Sequence, residues 1–283
     1  MKFVLWSVTG LGALLFTACE PPQISVTHAT THKVKAVDEA AILAGGEWID
    51  LTHEFSFDTI YWPTADGFEH TVDFKGVTDK GYFYASYQYK ASEHGGTHLD
   101  APIHFAKDRL TTEKIPLTNL IATAVVMDFS HKVGTNADYE ISIRDLEAWE
   151  TRNTEIGGGA IVLLNTGWHP RWPDRKTYLG TEERGPNAVP KLHFPGLSPA
   201  AAQWLVDNRR VAAVGIDTAS IDFGQSTLFE SHRILFKHDI PVFENVANLN
   251  ALPPTGAFVV ALPMKIKSGS GGPLRIVARV PKP

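Results

Sequence analysis

Short apolar runs, separated by glycine, proline and polar residues, dominate the pattern of this chain after about residue 45. The runs are shorter than typical helices and rich in β-branched, aliphatic or alternating aromatic residues, which indicates strands. We expect these strands at residues 48–55, 82–91, 125–129, 161–164, 211–216, 258–262 and 274–280.

Two helices are marked by their first residues. Ser142 can cap a helix that continues through residue 149, with Asp145 three residues later completing a capping box. Ser198 and Pro199 give a second helix its capping hydroxyl and its first-turn proline, and this helix should reach residue 208. Helices and strands therefore interleave, which predicts a mixed α/β fold.

The first residues have the pattern of an export signal. Lys2 precedes an apolar run that is too short for a permanent membrane span, and Cys19 follows as the only cysteine of the chain. This end resembles a bacterial lipobox, in which the cysteine is lipidated. A plain secretory signal, with Cys19 removed or inert, is the alternative.

This pattern predicts three segments and a location. We expect a lipoprotein-type signal at residues 1–19, a flexible tether at residues 20–36 and one domain at residues 37–283. The protein should be exported, and either lipid-anchored in the bacterial cell envelope or periplasmic. Any contact with a membrane would then be made only through the N-terminal anchor.

Composition adds few constraints. The 283 residues, 43% of them hydrophobic, are enough for one large domain with a well-buried core. The formal net charge is -5 and no block of lysine and arginine occurs, so nothing predicts a nucleic-acid partner. The 12 histidines are the one unusual count, and several of them lie close together.

The segment from residue 94 to residue 104 carries the candidate chemistry. Its polar members are His94, His98, Asp100 and His104, all at even positions, whereas the odd positions from 99 to 105 are apolar. A straight strand would separate the first two histidines by about 13 Å, which is wide for sharing one ion. We therefore expect a turn at the glycines of residues 95–96 that folds His94 back over His98 and Asp100.

Two imidazoles and a carboxylate suit a borderline divalent ion such as Zn²⁺ or Mn²⁺. Three protein ligands leave coordination positions open for water, as a catalytic site requires. The alternative is a set of hydrogen-bonded core histidines with an aspartate that forms a turn. The density of ligand-type residues in this segment favours the metal site.

The string His-x-Gly-Thr-His-x-Asp-x-Pro-x-His is similar to the signature of the cyclase family of metal-dependent hydrolases, which includes kynurenine formamidases and isatin hydrolases. Its positions are matched by His94, Gly96, Thr97, His98, Asp100, Pro102 and His104. Further similarity covers roughly residues 48 to 280 and is greatest to the isatin hydrolase branch. The resemblance implies a swivelling β/β/α fold, usually in a homodimer or larger assembly.

The resemblance also implies residue roles. Ligands of a first ion would be His94, His98 and Asp100, and ligands of a second ion, where one is present, would include His232 and Glu244. His104 would be the general acid and base. The substrate-side residues would be Trp62, Phe105 and Ser226, although Ser226 is equally well explained as an ordinary loop serine.

These roles predict hydrolysis of an amide C–N bond with one or two Mn²⁺ or Zn²⁺ ions, and a small aromatic cyclic amide such as isatin as the substrate. An arylformamidase acting on N-formylkynurenine is the alternative within enzymes. An exported metal-binding lipoprotein without catalysis is the alternative from another class. Asp217 and Asp222 are expected either to support metal ligands or to serve as turn and cap residues, and His53 is a weak candidate for the site.

Overall fold

The computed structural model of the protein describes residues 45–134 and 136–281. The predicted signal, Cys19, the tether and the first residues of the predicted domain lie outside the described residues. Among the helices within these two ranges, none has the length and apolar character needed to cross a membrane.

Strands and short helices alternate along the described chain. The strands are β1 (Gly46–Asp50), β2 (Glu69–Val77), β3 (Phe83–Lys90), β4 (His98–Asp100), β5 (Ile121–Asp128), β6 (Glu140–Ile141), β7 (Ile161–Asn165), β8 (Gly196–Leu197), β9 (Ala213–Ile216), β10 (Val242–Glu244), β11 (Ala257–Pro263) and β12 (Gly271–Pro281). The α-helices are α1 (Leu117–Leu120), α2 (Ser130–Val133), α3 (Ile143–Arg152), α4 (Arg175–Leu179), α5 (Pro199–Arg209) and α6 (Glu230–Lys237). Short 3-10 helices are Pro102–His104, Thr112–Lys114, His169–Arg171, Pro186–Lys191 and Leu249–Ala251.

Eight strands form one mixed sheet in the order β1-β12-β11-β5-β7-β9-β10-β4. The sheet closes on itself because β4 also pairs with the first residues of β12, where Gly271 lies opposite Asp100. The pairs β5–β7, β7–β9 and β9–β10 are parallel, and the remaining pairs are antiparallel. The result is a barrel-like core, in which the short strand β4 is the closing element.

Alternate residues of the central strands pack into two different cores. On β7, Val162 and Leu164 face a core that includes residues of α3, α5 and α6. Ile161 and Leu163 face the barrel interior together with residues of β11 and β12. Strands buried on both faces read as continuous apolar runs, which explains why the sequence pattern located them.

The two predicted helices are confirmed. Ser142 and Asp145 form the capping box at the start of α3, and the Ser198 hydroxyl accepts a hydrogen bond from the amide of Ala201 at the start of α5. The first predicted strand is wrong beyond residue 50. There the Thr52 hydroxyl donates to the Ile276 carbonyl and accepts from the Ile276 amide, both at 3.0 Å, and so takes the place of the β-ladder with β12.

A hairpin of β2 and β3 stands apart from the barrel. Residues 69–90, called here the aromatic hairpin, pair only with each other, and nearly every side chain on both faces is exposed. The sequence pattern predicted β3 but not β2. An isolated two-stranded hairpin is marginally stable in water, so exposed apolar side chains on both strands mark this hairpin as a surface for contacts.

Candidate active site

The segment from His94 to His104, called here the ligand segment, curls at its two glycines, as the spacing predicts. Gly96 has φ +59°, a backbone conformation that favours glycine, and a Cβ on Gly95 would lie 2.0 Å from the ring of Tyr61. The turn brings Nδ1 of His94 to 2.6 Å from Oδ1 of Asp100. Pro102 then begins the 3-10 helix that ends at His104.

His98 lies on β4. Its Nε2 atom faces the space between the carboxylates of Asp100 and Glu244, called here the centre. Its Nδ1 is 3.0 Å from the carbonyl oxygen of Gly96, which orients the ring and leaves Nε2 on the other side. That Nε2 atom is 3.0 Å from Oδ1 of Asp100 and 3.6 Å from Oε2 of Glu244. Occupation of one ring nitrogen by a second group is typical of histidines that bind metals.

His232 reaches the same centre from α6, more than a hundred residues along the chain. Its Nε2 is 3.2 Å from Oδ2 of Asp100 and 3.0 Å from Oε1 of Glu244. Its Nδ1 is 2.6 Å from Oδ2 of Asp222. Asp222 therefore supports a candidate ligand and also caps α6, so both roles expected from the sequence are combined in one side chain.

The buried carboxylates of Asp100 and Glu244 lie close together, so a positive charge between them would stabilise both. Burial and the negative charge of Asp100 together raise the pKa of Glu244. Burial opposes the charged form of His98, but Asp100 and Glu244 outweigh it and raise the pKa of His98 to about 9. Asp100, Glu244, His98 and His232 are all nearly inaccessible to solvent. A divalent cation satisfies such a donor set more completely than protons on imidazoles do.

His104 lies above this centre and stacks on His94. The ring centroids are 3.8 Å apart with the planes 19° from parallel. Burial, together with the nearby His94, His232 and His98, lowers the pKa of His104 to about 4 and outweighs the opposing effect of Asp100. His104 is therefore a neutral imidazole at neutral pH, which is the form that accepts a proton.

Ligand-type atoms in the described residues come together in two compact groups that share Asp100. One group consists of His94, Asp100 and His104, and the other of His98, Asp100 and Glu244, with all candidate atoms of each within 4.8 Å of one another. The structure brings His232 to the second group through its contacts with both carboxylates. His104 lies within reach of an ion bound at the first group, so its predicted role as a free base stays a prediction.

A cavity of about 460 Å³ opens over the centre. Trp62 and Phe105, both predicted on the substrate side, line it, and so does Phe229, which was not predicted. The rings of Trp62 and Phe229 are 6.0 Å apart, and those of Phe105 and Phe229 are 5.1 Å apart. These aromatic walls suit a flat, apolar molecule.

Phe229 has an unfavourable backbone conformation. It precedes α6 with φ 49° and ψ 47°, a left-handed conformation that is unusual for a bulky residue. Such strain is concentrated at functional sites, where surrounding structure maintains it. A sequence carries no signal for this conformation at a phenylalanine.

Three other candidates lie outside the described cavity lining. The Ser226 hydroxyl is 3.4 Å from Oδ1 of Asp222 and accepts a hydrogen bond from the amide of Phe229, so Ser226 touches two residues of the site without lining the cavity. Asp217 accepts hydrogen bonds from the Thr166 hydroxyl and from the amides of Thr166 and Trp168, and it stabilises this turn. His53 stacks on Trp172 at 4.3 Å.

Comparisons with known proteins agree with this geometry. The family model described as "Putative cyclase" matches residues 49–223. An isatin hydrolase from Roseibium aggregatum is 33% identical over 210 residues, which cover 71% of this chain and 77% of that protein. A kynurenine formamidase from Bacillus cereus is 25% identical over 237 residues, which cover 82% of this chain and 97% of that protein.

The fold is also that of a solved relative. The structure of an isatin hydrolase bound to the product analogue thioisatinate matches with a TM-score of 0.76 at 30% identity, covering 86% of this chain and 96% of that chain. The predicted mixed α/β fold of the family is thereby confirmed. Because the family model spans more than half of the chain, the chain belongs to the Cyclase family.

Proposed function

We propose that this protein is a metal-dependent hydrolase that cleaves the C–N bond of a small aromatic cyclic amide. The observation that carries the proposal is the buried centre of imidazoles and carboxylates on the floor of an aromatic cavity. The second nitrogens of His98 and His232 are already occupied by Gly96 and Asp222, so their Nε2 atoms converge on the centre. This preorganisation is characteristic of metal sites rather than of histidines that merely fill a core.

The donor set fits one or two Mn²⁺ or Zn²⁺ ions. His94, His98 and Asp100 would hold a first ion, and His232 and Glu244 would complete the site for a second. A bound divalent ion polarises a carbonyl and lowers the pKa of a nearby water towards neutrality. Asp100 has oxygen atoms facing both sides of the centre and suits a bridging position.

His104 would move the protons of the reaction. Its neutral imidazole accepts a proton from the attacking water while the water oxygen adds to the amide carbon. The same proton then goes to the leaving nitrogen as the C–N bond breaks. The products are an amine and a carboxylic acid, which releases its proton to solvent as the carboxylate. Both groups remain in one ring-opened molecule when the amide is cyclic, as in the conversion of isatin to isatinate.

The cavity and the relatives support an aromatic substrate, and isatin is the specific proposal. Trp62, Phe105 and Phe229 provide flat apolar surfaces in the lining of the cavity above the centre. Similarity to an isatin hydrolase is greater than similarity to a kynurenine formamidase, at 33% against 25% identity. Hydrolysis of N-formylkynurenine is the second candidate, since the formamidase match extends over 82% of the chain.

One experiment separates the candidates. The purified protein would be loaded with Mn²⁺ or Zn²⁺, its metal content measured, and hydrolysis of isatin and N-formylkynurenine followed side by side. Higher kcat/KM for isatin supports the proposal, and higher kcat/KM for N-formylkynurenine supports the arylformamidase. Tightly bound metal with no turnover of either amide would identify a metal-binding protein without catalysis.

We also propose that two copies of this chain associate through the aromatic hairpin. The exposed apolar side chains of the hairpin are six aromatic residues and two valines: Phe74, Tyr82, Phe83, Tyr84, Tyr87, Tyr89, Val72 and Val77. Over the two faces of the hairpin together, these side chains expose on the order of 800 Å², about what each partner buries in a standard stable interface. A second copy presents the same apolar surface, and among the described strands the outer edges of β2 and β3 have no strand partner.

Light scattering after size-exclusion chromatography tests the association. The wild-type protein should have at least twice the mass of one chain, and a Val72→Ser/Phe83→Ser/Tyr87→Ser variant should be monomeric. Phe57→Ser is the matched control, because Phe57 is 93% exposed and lies outside the hairpin. A monomeric wild-type protein, or an unchanged mass in the triple variant, would refute the proposed surface.

Export and lipidation of Cys19 remain a proposal that rests on the sequence pattern. Labelling of cells with a fatty-acid analogue should mark the wild-type protein and leave Cys19→Ala unmarked. The wild-type protein should fractionate with membranes and be released by removal of the anchor. Equal labelling of both proteins, or none of either, would contradict the anchor.

A further inference from the structure

His94 is held by three neighbours: the hydroxyl of Ser270, the backbone of Gly271 and the ring of His104. Its Nε2 is 2.8 Å from the hydroxyl oxygen of Ser270. One face of the ring lies against Gly271, where an added Cβ would be 2.6 Å from Cε1 of His94, and the other face stacks on His104. The ring therefore has one orientation, with Nδ1 directed at Asp100.

Ser270 is itself anchored by Glu93. One carboxylate oxygen, Oε2, accepts hydrogen bonds from the Ser270 hydroxyl at 2.7 Å, from the Ser270 amide at 2.8 Å and from the Gly271 amide at 3.2 Å. Because the hydroxyl hydrogen of Ser270 points to Glu93, its oxygen is left as an acceptor for His94. The Nε2 atom of His94 must then donate to Ser270, and Nδ1 is the nitrogen that faces Asp100, where a bound cation would take the place of a hydrogen.

This arrangement is the reverse of that at the other two histidines of the centre. His98 and His232 bind second groups through Nδ1 and present Nε2 inward. His94 binds its second group through Nε2 and presents Nδ1 inward. The curl at Gly95 and Gly96, directly after His94, places the ring with Nδ1 toward Asp100.

We propose that Glu93 and Ser270 form a positioning relay that fixes His94 as the Nε2–H tautomer and makes Nδ1 its metal-binding atom. The inference rests on the proposed function as a metal-dependent hydrolase and assigns roles to two residues outside the ligand signature. Ser270 lies in the glycine-rich loop directly before β12. Both residues are positioning residues, since they act on the metal through His94.

Titration of the metal-free full chain with Mn²⁺ by calorimetry tests the relay. Ser270→Ala should bind Mn²⁺ about 10- to 100-fold more weakly, the usual loss when a group that orients a metal ligand is removed. Ser270→Thr keeps the hydroxyl and should bind within about three-fold of wild type, whereas Glu93→Gln should fall between the two because its uncharged oxygen is a weaker acceptor. Glu113→Gln is the matched control, because Glu113 accepts a hydrogen bond from Ser268 on the same loop and does not contact His94.

A spectroscopic readout separates positioning from loop stability. Two-bond ¹⁵N–¹H spectra of the protein loaded with diamagnetic Zn²⁺ should show a hydrogen on Nε2 of His94 and none on Nδ1 in wild type and Glu113→Gln. Ser270→Ala should show a mixture, with the His94 signals assigned by their loss in His94→Ala. Mn²⁺ affinity of Ser270→Ala within two-fold of wild type, or an unchanged tautomer, would overturn the relay.

Failure of the proposed function would look different. In that case the wild-type protein would bind Mn²⁺ and hydrolyse neither amide, or would bind no Mn²⁺ at all. The tautomer measurement needs no substrate, so its outcome reports on Glu93 and Ser270 independently of turnover.

Discussion

Asp222 binds both the backbone and the side chain of His232. Its Oδ2 atom is 3.1 Å from the His232 amide and 2.6 Å from Nδ1 of the same residue. Its other oxygen accepts a hydrogen bond from the amide of Ser231 at 3.0 Å. One carboxylate thus sets the start of α6 and the direction of the imidazole that this helix delivers to the centre.

Asp222→Asn should therefore reduce activity more than stability. The amide oxygen can still cap α6, but the charge-assisted bond to Nδ1 of His232 is lost, and kcat/KM should fall about 10- to 100-fold. Loss of unfolding free energy should stay near 1 kcal/mol, the size of a cap effect. Asp174→Asn is the control, because Asp174 caps α4 through the amides of Lys176 and Thr177, away from the centre. Equal activity of the two variants would exclude this role of Asp222.

His104→Ala should retain metal and lose most of the turnover. Removal of a general base typically lowers kcat about 10²- to 10⁴-fold, whereas Asp100→Ala should lose both metal and activity because Asp100 belongs to both ligand groups. Metal analysis and hydrolysis rates on the same samples check this, with His131→Ala on α2 as a control. A rate close to that of wild type in His104→Ala would show that another group moves the proton, and loss of metal would make His104 a ligand.

Phe229→Ala should weaken substrate binding with a smaller effect on the chemical step. Phe229 contacts Trp62 and Phe105 across the cavity wall, and an aromatic contact is worth about 0.5–1.5 kcal/mol. KM for an aromatic amide should therefore rise about 2- to 13-fold, the same free energy expressed as a binding constant. Steady-state kinetics would measure it, and Phe57→Ala, at a fully exposed position, should leave KM unchanged.

Asp145 should make the stability of the protein depend on pH below the ordinary aspartate range. Burial favours the protonated form, but bonds from Lys132, Ser142 and Tyr139 outweigh it and lower the pKa of Asp145 below 3.8. A carboxylate whose pKa is lower in the folded state contributes stability above its unfolded pKa, and this contribution is lost as the pH falls through the folded value.

The gap, meaning the difference in unfolding free energy between wild type and Asp145→Asn, should accordingly be largest and constant well above pH 3.8. It should decrease as the pH falls below that value. Urea denaturation at a series of pH values would give the gap. Phe57→Ser, which removes no titratable group at an exposed position, should show no such dependence. A gap that stays constant into the acid range would mean that the charge of Asp145 contributes nothing.

Local features of the sequence predicted local parts of the structure well. The capping residues of α3 and α5, the buried strands and the curl at Gly96 all depend on neighbours within a few residues. His232 and Glu244 were predicted only through the family resemblance, because no spacing rule connects them to the ligand segment. The structure brings them to Asp100 through α6 and β10.

The parts that the sequence could not predict depend on distant contacts. Glu93 and Ser270 are separated by 177 positions and meet because β12 pairs with β4. Phe229 shows no pattern that would distinguish it from a core phenylalanine, since its backbone conformation is imposed by the surrounding fold. The end of β1 at Asp50 was also beyond prediction, because it depends on the hydroxyl of Thr52 replacing backbone bonds to Ile276.

The closing position of β4 fixes the order in which the site can be completed during synthesis. His98 and Asp100 emerge from the ribosome early, but the edge of β4 that pairs with Gly271 and Pro273 stays open until almost the whole chain has been made. Ser270, which orients His94, arrives at the same late moment. A growing chain therefore carries these candidate ligands without a finished centre, and a complete donor set for an ion would exist only in the finished chain.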